Sequence, residues 1–315
     1  MPLSLKAPSF AKINWRLKIE GRRPDGYHQL STVFQTIDLS DLIEFELTPE
    51  PDIRLEVQGR ALDAGPQNLV FRALTAVRER AGDEKGVRVT LTKRIPIGAG
   101  LGGGSSNAAI SLLAGNRLFQ AGLTCEDLSG LAASLGADVP FFLRGGTALG
   151  EGRGDQLTEF PDWDPGRALI VVFPGFAVST REAYGARDWG VYRGEPVLTC
   201  DGPDTKIQRF CQAVTQGLPD LSWLDNDFEK VIFGRYPALA ETREHLRVAG
   251  CERVLLCGSG SALVGLASSE EGESVAREVS RRASAEVFLC HSLTRKKYRD
   301  YLNNAGLDLK SASDW

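Results

Sequence analysis

Pro96-Ile97-Gly98-Ala99-Gly100-Leu101-Gly102-Gly103-Gly104-Ser105-Ser106-Asn107 is the stretch on which the reading of this chain turns. Five of the seven residues from 98 to 104 are glycine, the residue that loses the most backbone entropy on folding. The compensating gain is close approach. Without Cβ atoms, successive N–H groups can converge on one anion, and a helix beginning at Ser105 or Ser106 adds its positive end. The hydroxyls of Ser105 and Ser106 can also donate, or help hold a metal. The run opens directly onto an apolar helix that stacks Ala108 over Leu112 and Ala109 over Leu113, which sets it apart from a plain surface loop.

Three better-known glycine loops do not fit. Gly98, Gly100 and Gly103 match a dinucleotide fingerprint, but the acidic residue due about 20 positions later falls near Glu126, in the first turn of a helix. No G-K-[ST] follows the glycines, which excludes a P-loop. The valine that ends a protein-kinase glycine loop is also missing.

Upstream, residues 10–19 alternate as a strand. Ala11, Ile13, Trp15, Leu17 and Ile19 share one face; Phe10, Lys12, Asn14, Arg16 and Lys18 share the other, expected to point away from the core. Residues 21–26 read as a turn, with further strands near 31–38, 42–47, 53–57 and 87–91 and an amphipathic helix over 68–80. Downstream, Thr124 and Asp127 have capping-box spacing, Leu128, Leu131, Ala132 and Leu135 make an apolar stripe, and Gly136 suits a helix end. Asp138 is expected where that helix hands over to an extended segment, a place from which a side chain can reach a cleft. After residue 160 the texture changes. Short strands at 168–173, 254–256, 263–266 and 286–290 alternate with helices near 205–216, 226–234, 237–248 and 270–284, and Gly258-Ser259-Gly260-Ser261 makes a second tight loop. Strands and helices mix without strict βαβ order, so the class is α+β twice over.

The 315 residues exceed one ordinary core. A net charge of −4 offers nothing to a nucleic-acid polyanion. Six cysteines at 125, 200, 211, 251, 257 and 290 form no C-x-x-C pair, so free thiols in a reducing compartment are expected. No signal-peptide pattern or membrane-length apolar run is expected either. The default is a cytoplasmic enzyme with neither a membrane nor a nucleic-acid partner. No dedicated metal cage is visible, and His245 and His291 read as ordinary surface or packing residues.

The glycine loop resembles the central motif of the GHMP kinases. Ala11-Lys12-Ile13-Asn14, Arg22-Arg23-Pro24-Asp25-Gly26-Tyr27-His28 and Leu135-Gly136-Ala137-Asp138-Val139-Pro140-Phe141 resemble the branch acting on a cytidine-diphosphate-linked methylerythritol. Asn226-Asp227-Phe228-Glu229 and Gly258 to Ser261 extend the resemblance in collinear order. It implies a two-domain fold, a ribosomal-protein-S5-like α+β domain over 1–162 and a ferredoxin-like α+β domain over 163–315, with the active site between them. It implies transfer of the ATP γ-phosphoryl group to an alcohol, with Mg²⁺ arriving on the nucleotide. Pro96, Gly98, Ala99, Gly100, Leu101, Gly102, Gly103, Gly104, Ser105, Ser106 and Asn107 would hold the phosphates, with Asn68 and Lys93 near the purine. Asp138 would accept the alcohol proton. Lys12 would keep Asp138 ionised or stabilise the moving phosphoryl group. Asn14 would bond the substrate or position Lys12. Tyr27 would stack on the cytosine, His28 would bond its edge, and Tyr184 would form the opposite wall, the far side near 187–200 staying unassigned. The rivals are a GHMP kinase for mevalonate, homoserine or a sugar, a regulator without catalysis, and a dinucleotide-dependent oxidoreductase.

Overall fold

The computed structural model describes residues 3–190, 206–216 and 221–307. Its frame is a long antiparallel pair, β1 (Ser4–Arg22) with β2 (His28–Thr48), in which Lys12 faces Thr36 across the ladder. The two strands expected at 31–38 and 42–47 are one continuous strand. β3 (Ile53–Gln58) follows, then α1 (Leu69–Ala81), β4 (Gly86–Thr92), α2 (Gly103–Leu118), α3 (Cys125–Leu135), α4 (Val139–Arg144), and the hairpin β5 (Thr147–Glu151) and β6 (Gln156–Glu159). Thr124 and Asp127 close the expected capping box at the start of α3. α1 and α2 bury Val70, Leu74, Ile110 and Leu112 against Ile43, Phe45 and Val89 of the sheet.

The second half contributes β7 (Arg167–Phe173), α5 (Thr180–Gly185), α6 (Lys206–Thr215), β8 (Asp225–Asn226), α7 (Glu229–Arg235), α8 (Pro237–Val248), β9 (Arg253–Leu256), β10 (Leu263–Ser268), α9 (Gly272–Arg282), β11 (Glu286–Cys290) and α10 (Arg295–Asn304). Four of these strands make an antiparallel sheet in the order β11-β7-β10-β9. β8 leaves it and pairs in parallel with β1 at Arg16 and Leu17, so the first sheet runs β3-β4-β2-β1-β8, with β5 also paired to β2. α10 returns to the first core, where Tyr298 and Leu302 pack with Phe10 and Phe142. Among the described residues no helix is long and apolar enough to cross a membrane.

Two expectations change once these layers close. The face of β1 bearing Phe10, Lys12, Asn14 and Arg16 was expected to look outward, yet all four are buried. Residues from both halves cover both faces of the strand, with Trp15 edge-on to Trp163 on one of them; Lys18 alone of that set is exposed. Asp138 does not precede an extended segment but begins α4, with Pro140 in its first turn, where proline's missing N–H is no loss.

The docking of α10 is testable at Gly145. Its φ is +67°, and a Cβ there would lie 2.2 Å from the Tyr298 ring. Gly145→Ala is expected to lower stability by at least about 2 kcal/mol, read by denaturant titration.

Candidate active site

The site is built where the glycine loop, β1 and the loop after β9 meet. Gly98, Gly100 and Gly102 all hold positive φ, +67°, +79° and +69°, and each lies against a neighbour that leaves no room for a side chain. A Cβ on Gly100 would stand 1.9 Å from the Cys257 carbonyl oxygen; one on Gly102 would stand 2.8 Å from Phe142 and 2.9 Å from Lys12. The loop is fastened on two sides. Lys12 N–H donates to the Leu101 carbonyl at 3.0 Å, and Ala262 N–H donates to the Ala99 carbonyl at 3.0 Å. α2 starts at Gly103, two or three residues before the expected Ser105 or Ser106, because Ser106 N–H reaches back to the Gly102 carbonyl at 2.9 Å. The N–H groups of its first turn therefore begin within the glycines and have no acceptor inside the helix.

Lys12 is almost wholly withdrawn from water, 3% exposed. Its Nζ donates to Asn14 Oδ1 at 2.9 Å, lies 3.5 Å from Asp138 Oδ2 and sits 5.3 Å from the centre of the Phe34 ring. Asn14 is itself held. Its Nδ2 donates to Thr32 Oγ1 at 2.7 Å, and its Oδ1 also accepts from Gly258 N–H at 3.1 Å. Asp138 makes no capping bond to α4, which leaves its carboxylate facing Lys12 and a cavity of about 1390 Å³.

Ser105, Asp138, Tyr27, His28 and Tyr184 all line that one cavity. His28 stacks on Tyr184 with ring centres 4.4 Å apart and planes 14° from parallel. Tyr27 stands exposed, with the Arg153 guanidinium over its ring at 5.1 Å. Burial, then the Arg22 charge, pushes the His28 imidazole below its ordinary value. Burial, then the Asp138 charge, pushes the Tyr184 phenol up. The region 187–200 is described only as far as Gly190; Arg187, Asp188, Trp189 and Gly190 add to the cavity wall, and the rest lies outside the described residues.

The other expected loop residues turn inward. Ser106 and Asn107 are buried; Ser9 Oγ donates to Ser106 Oγ at 2.7 Å, and Asn107 Nδ2 donates to Ser9 Oγ and to Asp41 Oδ2, each at 2.9 Å. Lys93 is buried too, and its ammonium donates to Asp41. Burial pushes the Lys93 ammonium below the usual lysine range, with the Asp41 carboxylate opposing. Asn68 caps α1, accepting from Val70 N–H at 2.9 Å. Neither Asn68 nor Lys93 lines the cavity, though Gly104 has Leu69, the residue after Asn68, as its nearest neighbour.

Sequence reading missed two supports. Asp41 is 1% exposed and also accepts from the N–H groups of Arg94 and Ile95, each at 2.8 Å. It thus ties the end of β4 to the start of α2 and sets the loop between them. Asn226 belonged to a noted motif without a role. Its Nδ2 donates to the carbonyls of Leu256 at 2.8 Å and Gly258 at 2.7 Å, and Asp227 Oδ2 accepts from Ile19 N–H at 2.9 Å. No periodicity signals either contact, since both join residues distant in sequence.

Residues 68–146 match the GHMP kinases N terminal domain, and residues 208–285 match GHMP kinases C terminal. The 4-diphosphocytidyl-2-C-methyl-D-erythritol kinase of Moorella thermoacetica is 43% identical over 277 residues, 88% of this chain and 94% of that protein. The Solibacter usitatus protein of the same name is 39% identical over 307 residues, 98% and 94% of the two chains. A crystal structure of 4-(cytidine 5'-diphospho)-2C-methyl-D-erythritol kinase, 37% identical, superposes with a TM-score of 0.72 over 91% of this chain and 99% of that one. A homoserine kinase from Cytophaga hutchinsonii, 18% identical with a TM-score of 0.69 over 93% of this chain and 96% of its own, shares the fold.

The glycines differ in what they tolerate. Gly100→Ala is expected to cost at least about 3 kcal/mol, since the new Cβ meets backbone at a positive φ. Gly104→Ala, whose Cβ would meet only Leu69 at 3.8 Å, should stay within about 0.5 kcal/mol of the parent. Paired thermal melts check this contrast.

Proposed function

The chain belongs to the GHMP kinases, among the 4-diphosphocytidyl-2-C-methyl-D-erythritol kinases, and on that footing we propose how its own residues carry the reaction. It phosphorylates the 2-hydroxyl of 4-diphosphocytidyl-2-C-methyl-D-erythritol with ATP, a step of non-mevalonate isoprenoid precursor synthesis. The observation that carries the assignment of roles is the Lys12–Asp138 pair, 3.5 Å apart between the glycine loop and the cavity.

The N–H groups at the start of α2 receive the nucleotide phosphates, with Ser105 at the cavity edge donating its hydroxyl. Pro96, Ala99 and Leu101 are buried and shape the loop, while Ser106 and Asn107 anchor it from behind. Asn68 and Lys93 act through neighbours at the purine end, as the positions nearest α1 and Gly103. Phosphoryl transfer needs positioning and charge stabilisation more than covalent chemistry. The Lys12 ammonium, fixed by Asn14, faces both the loop and Asp138 and offsets charge that develops on the transferred group. Asp138 orients the acceptor hydroxyl and takes its proton. Tyr27, His28 and Tyr184 hold the cytosine, a stacked base being worth about 1–3 kcal/mol.

Among the described residues no group of three or more His, Cys, Asp or Glu could cage a metal. Ser105 and Asp138 are among the oxygen-bearing residues that line the cavity, and they would suit a Mg²⁺ carried in by the nucleotide with most of its waters. That ion would neutralise charge on the phosphate oxygens. We place the catalytic division at 1–162 and 163–315, the glycine loop on the first part and Tyr184 on the second. A cytoplasmic location is supported by Cys251, Cys257 and Cys290, buried thiols that form no disulfide among the described residues.

Incubation with ATP and the cytidylylated tetritol should yield a new phosphomonoester signal by ³¹P NMR; ATP consumption without that signal would refute the acceptor. Asp138→Asn should lower kcat at least about 1000-fold, with ATP affinity within threefold or so of the parent. Equal loss of both would make Asp138 structural.

A further inference from the structure

The cavity's charge does not follow from the roles assigned so far. Asp138 is paired with Lys12. The Asp188 carboxylate accepts from Gly190 N–H at 2.9 Å. Arg153 is paired with Asp155 and covers Tyr27. Arg187 lies against the Trp189 ring at 5.4 Å. Arg22 lines the cavity beside His28, at its aromatic end, and Arg181 also lines it. Arg181 is exposed, and it has no ion pair or ring contact among the described residues.

Its position along the site is informative. Arg181 and Tyr184 are three residues apart on α5, so they share a face of the helix. At the other end of α5, Thr180 Oγ1 is 3.1 Å from Ser259 Oγ. The residue before Ser259, Gly258, donates to Asn14, which holds Lys12. α5 therefore runs from the aromatic wall at Tyr184 toward the Gly258–Ser259 loop, which in turn holds Asn14 beside Lys12, and Arg181 lies near that end. The one carboxylate of this helix, Glu182, is engaged elsewhere, accepting from the Tyr236 hydroxyl at 3.2 Å. A substrate with its base beside the His28–Tyr184 stack and its alcohol at Asp138 has its diphosphate in the interval where Arg181 stands.

We propose that Arg181 is a specificity-determining contact of this enzyme, its guanidinium binding the diphosphate that links cytidine to the tetritol. The inference rests on the cytidine-pocket reading above. A guanidinium offers paired N–H donors that match phosphate oxygens, which an ammonium does not. Arg181 thus selects a nucleoside diphosphate over a bare nucleoside and sets the span between base and reacting hydroxyl.

The test is competition against the cytidine substrate by cytidine, CMP and CDP, on the parent chain, Arg181→Ala and Arg181→Lys. In the parent, affinity should rise from cytidine to CDP. In Arg181→Ala that gain should shrink by about 10–100-fold, the range of a charge-assisted contact. Cytidine itself should bind both proteins alike, and KM for the cytidine substrate should rise while KM for ATP does not. Arg181→Lys should recover part of the gain. An unchanged cytidine-to-CDP gain in Arg181→Ala would overturn the proposal, as would equal losses for cytidine and CDP. If the parent binds neither cytidine nor CDP, the pocket assignment fails and this inference with it, a result distinct from a ladder that survives the substitution.

Discussion

An ammonium drawn out of water is tolerable only where oxygens replace its hydration, because an unpaired buried charge costs several kcal/mol. Lys12 is in that position. Asn14 supplies one oxygen and Asp138 a carboxylate, and much of the surrounding architecture holds those two in place. Thr32 and the Gly258 N–H orient the Asn14 amide; Asn226 fixes the Gly258 carbonyl; α4 carries Asp138 at its first end. The charge is placed by contacts from both halves of the chain, and its partner faces the cavity where an alcohol would enter.

The same economy of space explains the glycines. At Gly100 and Gly102 the loop runs against Cys257, Phe142 and Lys12 at distances no Cβ could share, and the left-handed backbone there is open to glycine at little steric cost. The loop therefore joins the two halves as well as presenting N–H groups at the start of α2. Asp41, beneath it, ties Lys93, Asn107 and the backbone of Arg94 and Ile95 together without reaching the cavity. Removal of water from this cluster strengthens each bond, and it makes a missing partner correspondingly expensive.

Much of this is legible in the sequence. The α3 capping box, the helix expected over 68–80 and found over Leu69–Ala81, and the pairing of Lys12 with Asn14 on one face of a strand all followed from local spacing. What was not legible depended on layers closing over one another. Alternation in β1 marks two faces, and it does not say that the second will also be covered, so Lys12 and Asn14 were expected outside. The Asp41 carboxylate and the Asn226 Nδ2 reach residues 52 or more and 30 or more positions away respectively, and no period in the chain announces such contacts. The stacking of His28 on Tyr184 joins residues 156 positions apart in the same way.

The central claim is that Lys12 and Asp138 act as one unit on the reacting atoms. A double-mutant cycle in kcat/KM with Lys12→Met and Asp138→Asn measures that coupling. The account predicts a double variant no slower than the slower single variant, a coupling of at least about 2 kcal/mol. Losses that simply add, within about 0.5 kcal/mol, would contradict it.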